Sequence, residues 1–449
     1  MSDEPVAPIP FPEAFRTWLR VALLSFGGPA GQIAVMHRIL VEEKRWIGES
    51  RFLHALNYCM LLPGPEAHEL AIYIGWLLHR IRGGLVAGIL FVLPGLIVLT
   101  ALSVVYVEFG RFGVVQGIFF GLKSAVLAVV LEAVVRVGRR ALKTRGLVAI
   151  AAAAFAGIFV FGVPFPLIIL AAALTGYLGS IARLKSFAGP GKDDSNPELN
   201  RVVPPHVQPS MRRLLITAAT GALIWLAPAI ILFAMAGPHN VFTSIALFNS
   251  KMAVVTFGGA YAVLAYMAQQ AVQHYHWLRP GEMLVGLGFA ETTPGPLISV
   301  VQFVGFKAAF RQPGTLPPVI AAILGGGLAM WSTFVPPFIW IFAGGPYIEA
   351  LTGKRSLNAA LSAITAAVVG VILNLAIWFG LHTLFRQMQE LRVWQLAVEV
   401  PLPASVSLPA LLIAGAAMIA LLRFRLGMLP VLAASCVAGA IWYAVSGAT

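Results

Sequence analysis

Five stretches, 84–107, 112–135, 214–235, 357–384 and 427–445, are almost unbroken runs of apolar residues. Each approaches or exceeds the ~20 residues that carry a helix across the hydrocarbon core of a bilayer. Within lipid every backbone donor and acceptor must be paired inside the protein, and runs this continuous meet that demand as helices. The composition agrees. Hydrophobic residues make up 59% of the 449, charged residues 11%, and the mean hydropathy is +0.85, whereas a soluble domain carries roughly 25% charged residues. The expected fold class is an all-α polytopic membrane protein.

The net charge of +13 raises nucleic acid as a partner, but its placement argues against that. Arg136, Arg139, Arg140, Lys143 and Arg145 cluster without an acid at the end of an apolar run, the pattern of a short cytoplasmic loop under the positive-inside bias. No nucleic acid is expected, and the lipid bilayer is the expected surrounding. Cys59 and Cys436 lie far apart in apolar segments, with neither metal-ligand spacing nor a disulfide framework. Neither a phosphate-cradling loop ending in Gly-Lys-Ser/Thr nor a nucleophile elbow occurs. The chain therefore reads as no enzyme, with no cofactor and no metal. Its first residues lack the basic and apolar regions of a cleaved signal, so the N-terminus is expected to be retained.

Residues 59–70, CMLLPGPEAHEL, interrupt this apolar background. Pro63 and Pro65 remove backbone donors and clash with the preceding turn, so a helix must break here. The break recurs. Phe26-Gly27-Gly28 returns as Phe257-Gly258-Gly259, Trp46 as Trp277, and Pro63-Gly64-Pro65 as Pro294-Gly295-Pro296, every time 231 residues later. Three landmarks at one offset define an internal repeat. The first copy with an apolar hairpin occupies 1–182, a polar cytoplasmic linker 183–213, a connecting span 214–240, and the second copy 241–449. With the N-terminus inside, the connecting span places the second copy's start outside, so the copies are inverted. About thirteen transmembrane segments are expected, with the C-terminus in the periplasm. The Gly/Pro breaks are either kinks in full spans or re-entrant hairpins. Inverted repeats with broken helices characterise many secondary transporters, whose sites lie at the repeat interface.

Broken helices expose amides and the positive end of the helix dipole, which together attract anions. Gly27 and Gly28 allow close approach of an ion to the backbone, although glycines also serve close helix packing. The candidate anion-binding set is Phe26, Gly27, Gly28, Pro63, Gly64 and Pro65, with Phe257, Gly258, Gly259, Pro294, Gly295 and Pro296. Lys123, deep in GLKSAVLAVV, adds a cation of the kind that is functional within a membrane. Its counterpart is Asn358 if GLKSA matches SLNAA, or Lys354 at the strict offset, and Lys251 is a further candidate. Arg45 is either an interfacial anchor or a guard at an anion entrance. Glu66 either stabilises a helix N-terminus or titrates during transport, and Glu291 is the acid near the second break.

The motifs resemble a known family. SFGGPAGQIAVMHR (25–38), ALNYCMLLPGPEAHELAIYIGW (55–76) and FVLPG (91–95) resemble the first repeat of the chromate ion transporter family. TFGGAYAVLAYMAQQ (256–270) and AETTPGPLISVVQFVG (290–305) resemble its second repeat, in the two-domain long-chain form. The resemblance implies an inner-membrane exporter of chromate, driven by protons, with sulfate as a competing analogue and resistance as the outcome. It places Glu66 and Lys123 among the first repeat's characteristic positions. Glutamines are expected after PGPEA, and this chain has His68 and Glu69 instead. Glu66 and Glu291 are the proton-coupling candidates, and a homodimer is compatible with one repeat pair per chain.

Overall fold

The structure, a computed structural model, describes residues 9–183, 209–257, 260–347, 355–393 and 396–446. Most of the linker expected at 183–213 lies outside the described residues. Among the described residues six helical stretches are long and apolar enough to cross a membrane, and four further apolar helices are shorter. The protein is a helical, multi-pass membrane protein.

The first copy opens with α1 (Phe11–Leu24), α2 (Gly28–His37), α3 (Glu49–Cys59) and α4 (Glu66–Phe109). It continues with α5 (Gly113–Ala141) and the hairpin α6 (Arg145–Phe159) and α7 (Phe165–Ile181). After α8 (Met211–Ala236) the second copy repeats the order with α9 (Val241–Val255), α10 (Ala260–Gln269) and α11 (Pro280–Thr292). A single 3₁₀ turn, Leu297–Ser299, then leads into α12 (Val300–Arg311), followed by α13 (Pro318–Phe334), α14 (Pro336–Gly344) and α15 (Arg355–Leu384). The chain closes with α16 (Leu408–Leu422) and α17 (Met428–Ser446).

The offset of 231 extends from letters to backbone geometry. π turns at Arg38–Glu43 and Gln270–His274 follow α2 and α10. Beyond them the Trp46 N–H donates to the Leu40 carbonyl (2.9 Å), and the Trp277 N–H donates to that of Ala271 (2.8 Å). Arg45 and His276 adopt the same left-handed conformation, with φ of 52° and 54°. Such a backbone costs a non-glycine residue on the order of 1 kcal/mol, and both copies retain it in spite of different side chains.

The long helix α4 is two helices. At His79 and Arg80 the backbone leaves the helical region, with φ/ψ of −135°/31° and 53°/−149°. The His79 Nε2 is 2.8 Å from the Ile9 carbonyl. The chain folds back at this point. Gly75 and Gly83 face each other so closely that a Cβ on either would collide with the other's carbonyl, and Gly88 packs on Ile72. The half-helix before the kink, like α3, α11 and α12, is too short to cross a ~30 Å core at 1.5 Å per residue.

The chain forms two compact units that do not follow the two copies. One comprises Met1–Thr100, Lys192–Ala260 and Thr293–Lys354, and the other Ala101–Gly191, Tyr261–Thr292 and Arg355–Thr449. In the first, α13 packs on α9 and α12, and α14 on α8. Its core gathers Trp18, Met36, Phe52, Tyr58, Leu70 and Phe91. In the second, α5 lies against α16 and α17, while α15 lies against α6 and α7. Each copy's long helix is thus sheathed by the other copy's hairpin.

Small residues make these crossings possible. Gly117 and Gly121 on α5 meet Ser435 and Gly439 on α17, a small-xxx-small pair on both sides. A Cβ at Gly121 would strike the Ser435 carbonyl, and one at Gly439 the carbonyl of Gly117. Gly176 on α7 meets Ala359, and Gly370 on α15 meets Ala151, in the same way.

One element departs from the all-helical expectation. β1 (Met388–Val393) and β2 (Leu396–Pro401) pair antiparallel, with Met388 opposite Pro401 and Val393 opposite Leu396. The segment MQELRV…LAVEVP mixes β-branched and polar residues at a period nearer two than 3.6, which hydropathy summed over long windows does not register.

The α5–α17 crossing yields a stability test. Gly121→Val overpacks it and is expected to cost about 1–3 kcal/mol, seen as a lower thermal midpoint of the purified protein in detergent. Gly415→Val, at a position with open space around it, should leave the midpoint unchanged.

Candidate functional site

The first unit contains all four sequence breaks, and three of them lie wholly among the described residues. Gly27 and Gly28 take φ of 83° and 72°, a left-handed pair that turns the chain from α1 into α2 and that side-chain-bearing residues rarely adopt. Just before, the Ser25 hydroxyl donates to the Val21 carbonyl at 2.6 Å, and the Thr256 hydroxyl donates to that of Met252 at 2.6 Å. The two hydroxyls sit at the 231-residue spacing and end their helices in the same manner. Between the paired prolines, Gly64 and Gly295 have φ of 152° and 113°.

These glycines join the copies. The Gly64 N–H donates to the Thr256 carbonyl at 2.9 Å, and the Gly295 N–H donates to the Ser25 carbonyl at 2.8 Å. Donor and acceptor exchange roles under the same offset, so the two bonds are one interaction made twice. Prolines on both sides have no N–H to offer, which leaves the glycine amide as the sole donor of each break, and both are used. The buried Gln32 adds a bond that the second copy lacks, because its side-chain amide donates to the Gly295 carbonyl. Val263 stands at the equivalent place. Gly95, from the FVLPG stretch, lies so close to the Pro294 carbonyl that a Cβ would collide with it.

A recess lies where the breaks meet. It is lined by Pro29, Gln32, Gly64, Pro65, Glu66, Ala67, Pro296, Leu297 and Ile298. Three helical N-termini contribute to it: α2, α4 and the turn before α12. The first intrahelical bond of α4 runs from the Glu69 N–H to the Pro65 carbonyl (3.0 Å), so the amides of Glu66, Ala67 and His68 precede the ladder. Such amides with the helix dipole favour an anion. The recess holds about 10 Å³, room for one water and too small for a five-atom oxyanion, so this arrangement is closed.

Acidic and imidazole groups crowd the first copy's side of the break. Glu66 borders the recess. Glu69 is fully buried behind Gly64, with Oε1 2.5 Å from where a Cβ on that glycine would sit. His68 is also fully buried. Its Nε2 is 3.2 Å from the Gly88 carbonyl, and its ring packs among Phe91, Phe334 and Phe338. The second copy has Leu297, Ser299 and Val300 at these positions, all buried.

The remaining sequence candidates divide as follows. Phe26, beside its turn, and Phe257 are half-buried, Pro63 is half-buried, and Pro294 and Pro296 are buried. Gly258 and Gly259 lie outside the described residues, as does Lys354. Arg45 and Lys251 are exposed, and so is Asn358. Lys123 and Glu291 belong to the second unit. There the Lys123 ammonium lies beside Gly281 at the start of α11, within the electrostatic reach of Glu282. Glu291 is buried and accepts a hydrogen bond from the Tyr261 hydroxyl at 2.7 Å. Arg136, itself paired with Glu132 at 3.3 Å, exerts its charge on the same carboxyl. The sequence pattern did not single out Lys307, a buried cation on α12 whose ammonium lies 5.6 Å from the centre of the Phe310 ring. Its position after the second PGP, where the first copy has Trp76, was the available signal.

Comparison with known proteins gives the arrangement a family. The chain is 31% identical over 376 residues to the chromate transport protein of Pseudomonas aeruginosa, covering 81% of this chain and 80% of that one. It is 26% identical over 355 residues to the chromate transport protein of Cupriavidus metallidurans, with 79% of each covered. A probable chromate transport protein of Synechococcus elongatus matches over 405 residues at 25% identity, covering 88% and 92%. No solved structure matches. The chromate transporter family matches residues 12–177 and 243–440, two segments that each contain one FGG motif and one PGP motif, and the chain belongs to that family of transporters.

Proposed function

We propose that the chain is a secondary transporter that exports chromate across the bacterial inner membrane, driven by the proton motive force, and so confers chromate resistance. The observation that carries this reading is the recess in which N-termini from both copies converge on joined PGP breaks. Amide-rich, dipole-positive surroundings suit a tetrahedral dianion. The relatives named for chromate transport match most of the chain. Outward movement of a dianion from an inside-negative cell is electrically downhill, by about 2.3 kcal/mol per charge per 100 mV. A proton taken up in exchange adds to that force, with Glu66 and Glu291 as its candidate carriers. Arg45, exposed beyond the first π turn, is the entrance candidate.

The topology that fits this reading has inverted copies and about thirteen segments, the N-terminus in the cytoplasm and the C-terminus in the periplasm. The reciprocal bonds between breaks, the exchanged hairpins and the span α8 between the copies support it. A homodimer remains part of the proposal.

Everted membrane vesicles should accumulate chromate saturably, lose it when the proton gradient is collapsed, and be inhibited by excess sulfate. Sulfate movement without chromate movement would replace the named substrate, and flux that does not saturate would indicate a channel. Lys123→Ala should lower chromate flux about ten-fold or more, as expected for loss of a charge-assisted contact, while Lys251→Ala at an exposed site should not. In Glu66→Gln vesicles, flux assayed across external pH should lose its pH dependence, and an unaltered profile would remove Glu66 from the coupling.

A further inference from the structure

Glu69 has no role in the recess itself, yet it is fully buried among the described residues of the first unit without a hydrogen-bond partner on either carboxyl oxygen. It lies on the first turn of α4. One oxygen lies directly behind Gly64, the residue whose amide holds the Thr256 carbonyl of the other copy. The ionisable groups near it are Glu66, His68 and Tyr73 on its own helix and Tyr58 and Cys59 on α3. None is a paired cation. The neighbouring α14 supplies Pro337 at Gly64 and contains no ionisable residue, and Lys251 on α9 is exposed.

A carboxylate charge buried without donor or counter-cation is strongly penalised, and in lipid it has no water to turn to. A carboxyl carrying its proton has no such penalty. Glu66, one turn away and bordering the recess, offers the path by which that proton reaches solution. The second copy, with Leu297 and Val300 at the two positions, has no such pair, so the function is confined to one half of the repeat.

We propose that Glu69 is a proton-binding site of this transporter, holding a proton behind the first PGP break while the recess is closed and exchanging it through Glu66 as the recess opens. The exchange moves only a proton: the Glu69 O–H breaks, an O–H forms on the Glu66 carboxylate, and Glu66 then releases the proton to water in the recess. The proposal rests on the proton-coupled reading above and adds to it the carboxyl at which the coupling proton resides.

Two measurements test it. Infrared spectra of the solubilised full-length protein, recorded in water and deuterium oxide, should show the C=O stretch of a protonated, shielded carboxyl. The difference spectrum between the unaltered protein and Glu69→Gln should contain that band, and the same Glu69-dependent band should persist when the comparison is made in a Glu66→Gln background. In proteoliposomes with an entrapped pH dye, proton movement driven by a chromate gradient should fall about ten-fold or more in Glu69→Gln, while Gly415→Val, at a position with open space around it, should retain it. A difference spectrum without that band, or chromate-driven proton movement in Glu69→Gln equal to that of the unaltered protein, would overturn the assignment. If the unaltered protein moves no chromate but its band vanishes with Glu69→Gln, the transport reading fails and the proton site stands. Glutamine is close to isosteric with the acid and is the residue the family resemblance expects here, so the variant should fold, and its thermal midpoint checks that it does.

Discussion

The hydrogen bonds from Gly64 to Thr256 and from Gly295 to Ser25 make this fold possible in a membrane. Each break removes donors by proline and leaves acceptors without a helical partner, a condition that lipid does not tolerate. Water could satisfy those groups only at the cost of an open cavity. The chain satisfies them from within, because the donor of one copy meets the carbonyl at which the other copy's helix ends. The Ser25 and Thr256 hydroxyls turn back to their own helices, which leaves both carbonyls free to accept. In this chain each copy's break is closed by the other copy.

That symmetry is one of backbone, not of chemistry. Glu66, His68, Glu69 and Gln32 surround the first break, where the second copy has Leu297, Ser299, Val300 and Val263. Conversely Tyr261 and Glu291 hydrogen-bond within the second copy, where the first has Ala30 and Met60. The repeat supplies a scaffold with two equivalent joints, and ionisable groups are distributed over it unequally. A tetrahedral anion and a proton make different demands, one for amides and fixed dipoles, the other for a carboxyl that can be neutral. For the proposed exchange of the two, an asymmetric pair of copies would meet both demands without disturbing the shared hydrogen bonds.

What could be read from the sequence follows the same division. The first FGG turn and the PGP breaks were legible because glycine alone readily accepts the positive φ found at Gly27, Gly28, Gly64 and Gly295, and only proline enforces the break. The matched left-handed residues at 45 and 276 were not, since arginine and histidine share no letter, and the π turns before them carry no compositional mark. The kink at His79 and Arg80 lies within a run of helix-compatible residues and was likewise hidden. For the site, the identity of the breaks was legible but their pairing was not, because sequence spacing does not say which carbonyl meets which amide. Glu69 illustrates the limit most clearly. As a letter it reads as one more acid at a helix start, and only its burial behind Gly64 without a donor distinguishes it.

The closed recess connects these points. Its walls are the residues of the two joints, with Gly64 and Pro65 on one side and Pro296 on the other. Widening it enough to admit an oxyanion must displace the same backbone that carries the reciprocal bonds. Because those bonds are chemically alike, loosening either one costs about the same, and the backbone itself expresses no preference between them. A preference has to come from groups present at only one joint. Gln32 reinforces the Gly295 joint through its bond to that carbonyl, and a Glu69 carboxyl oxygen lies behind Gly64, with Val300 at the equivalent place in the second copy. On the proposal that Glu69 carries the coupling proton, a change of its charge acts beside the Gly64 joint and not the Gly295 joint, which is the condition for a proton to favour one direction of opening in a nearly symmetric frame.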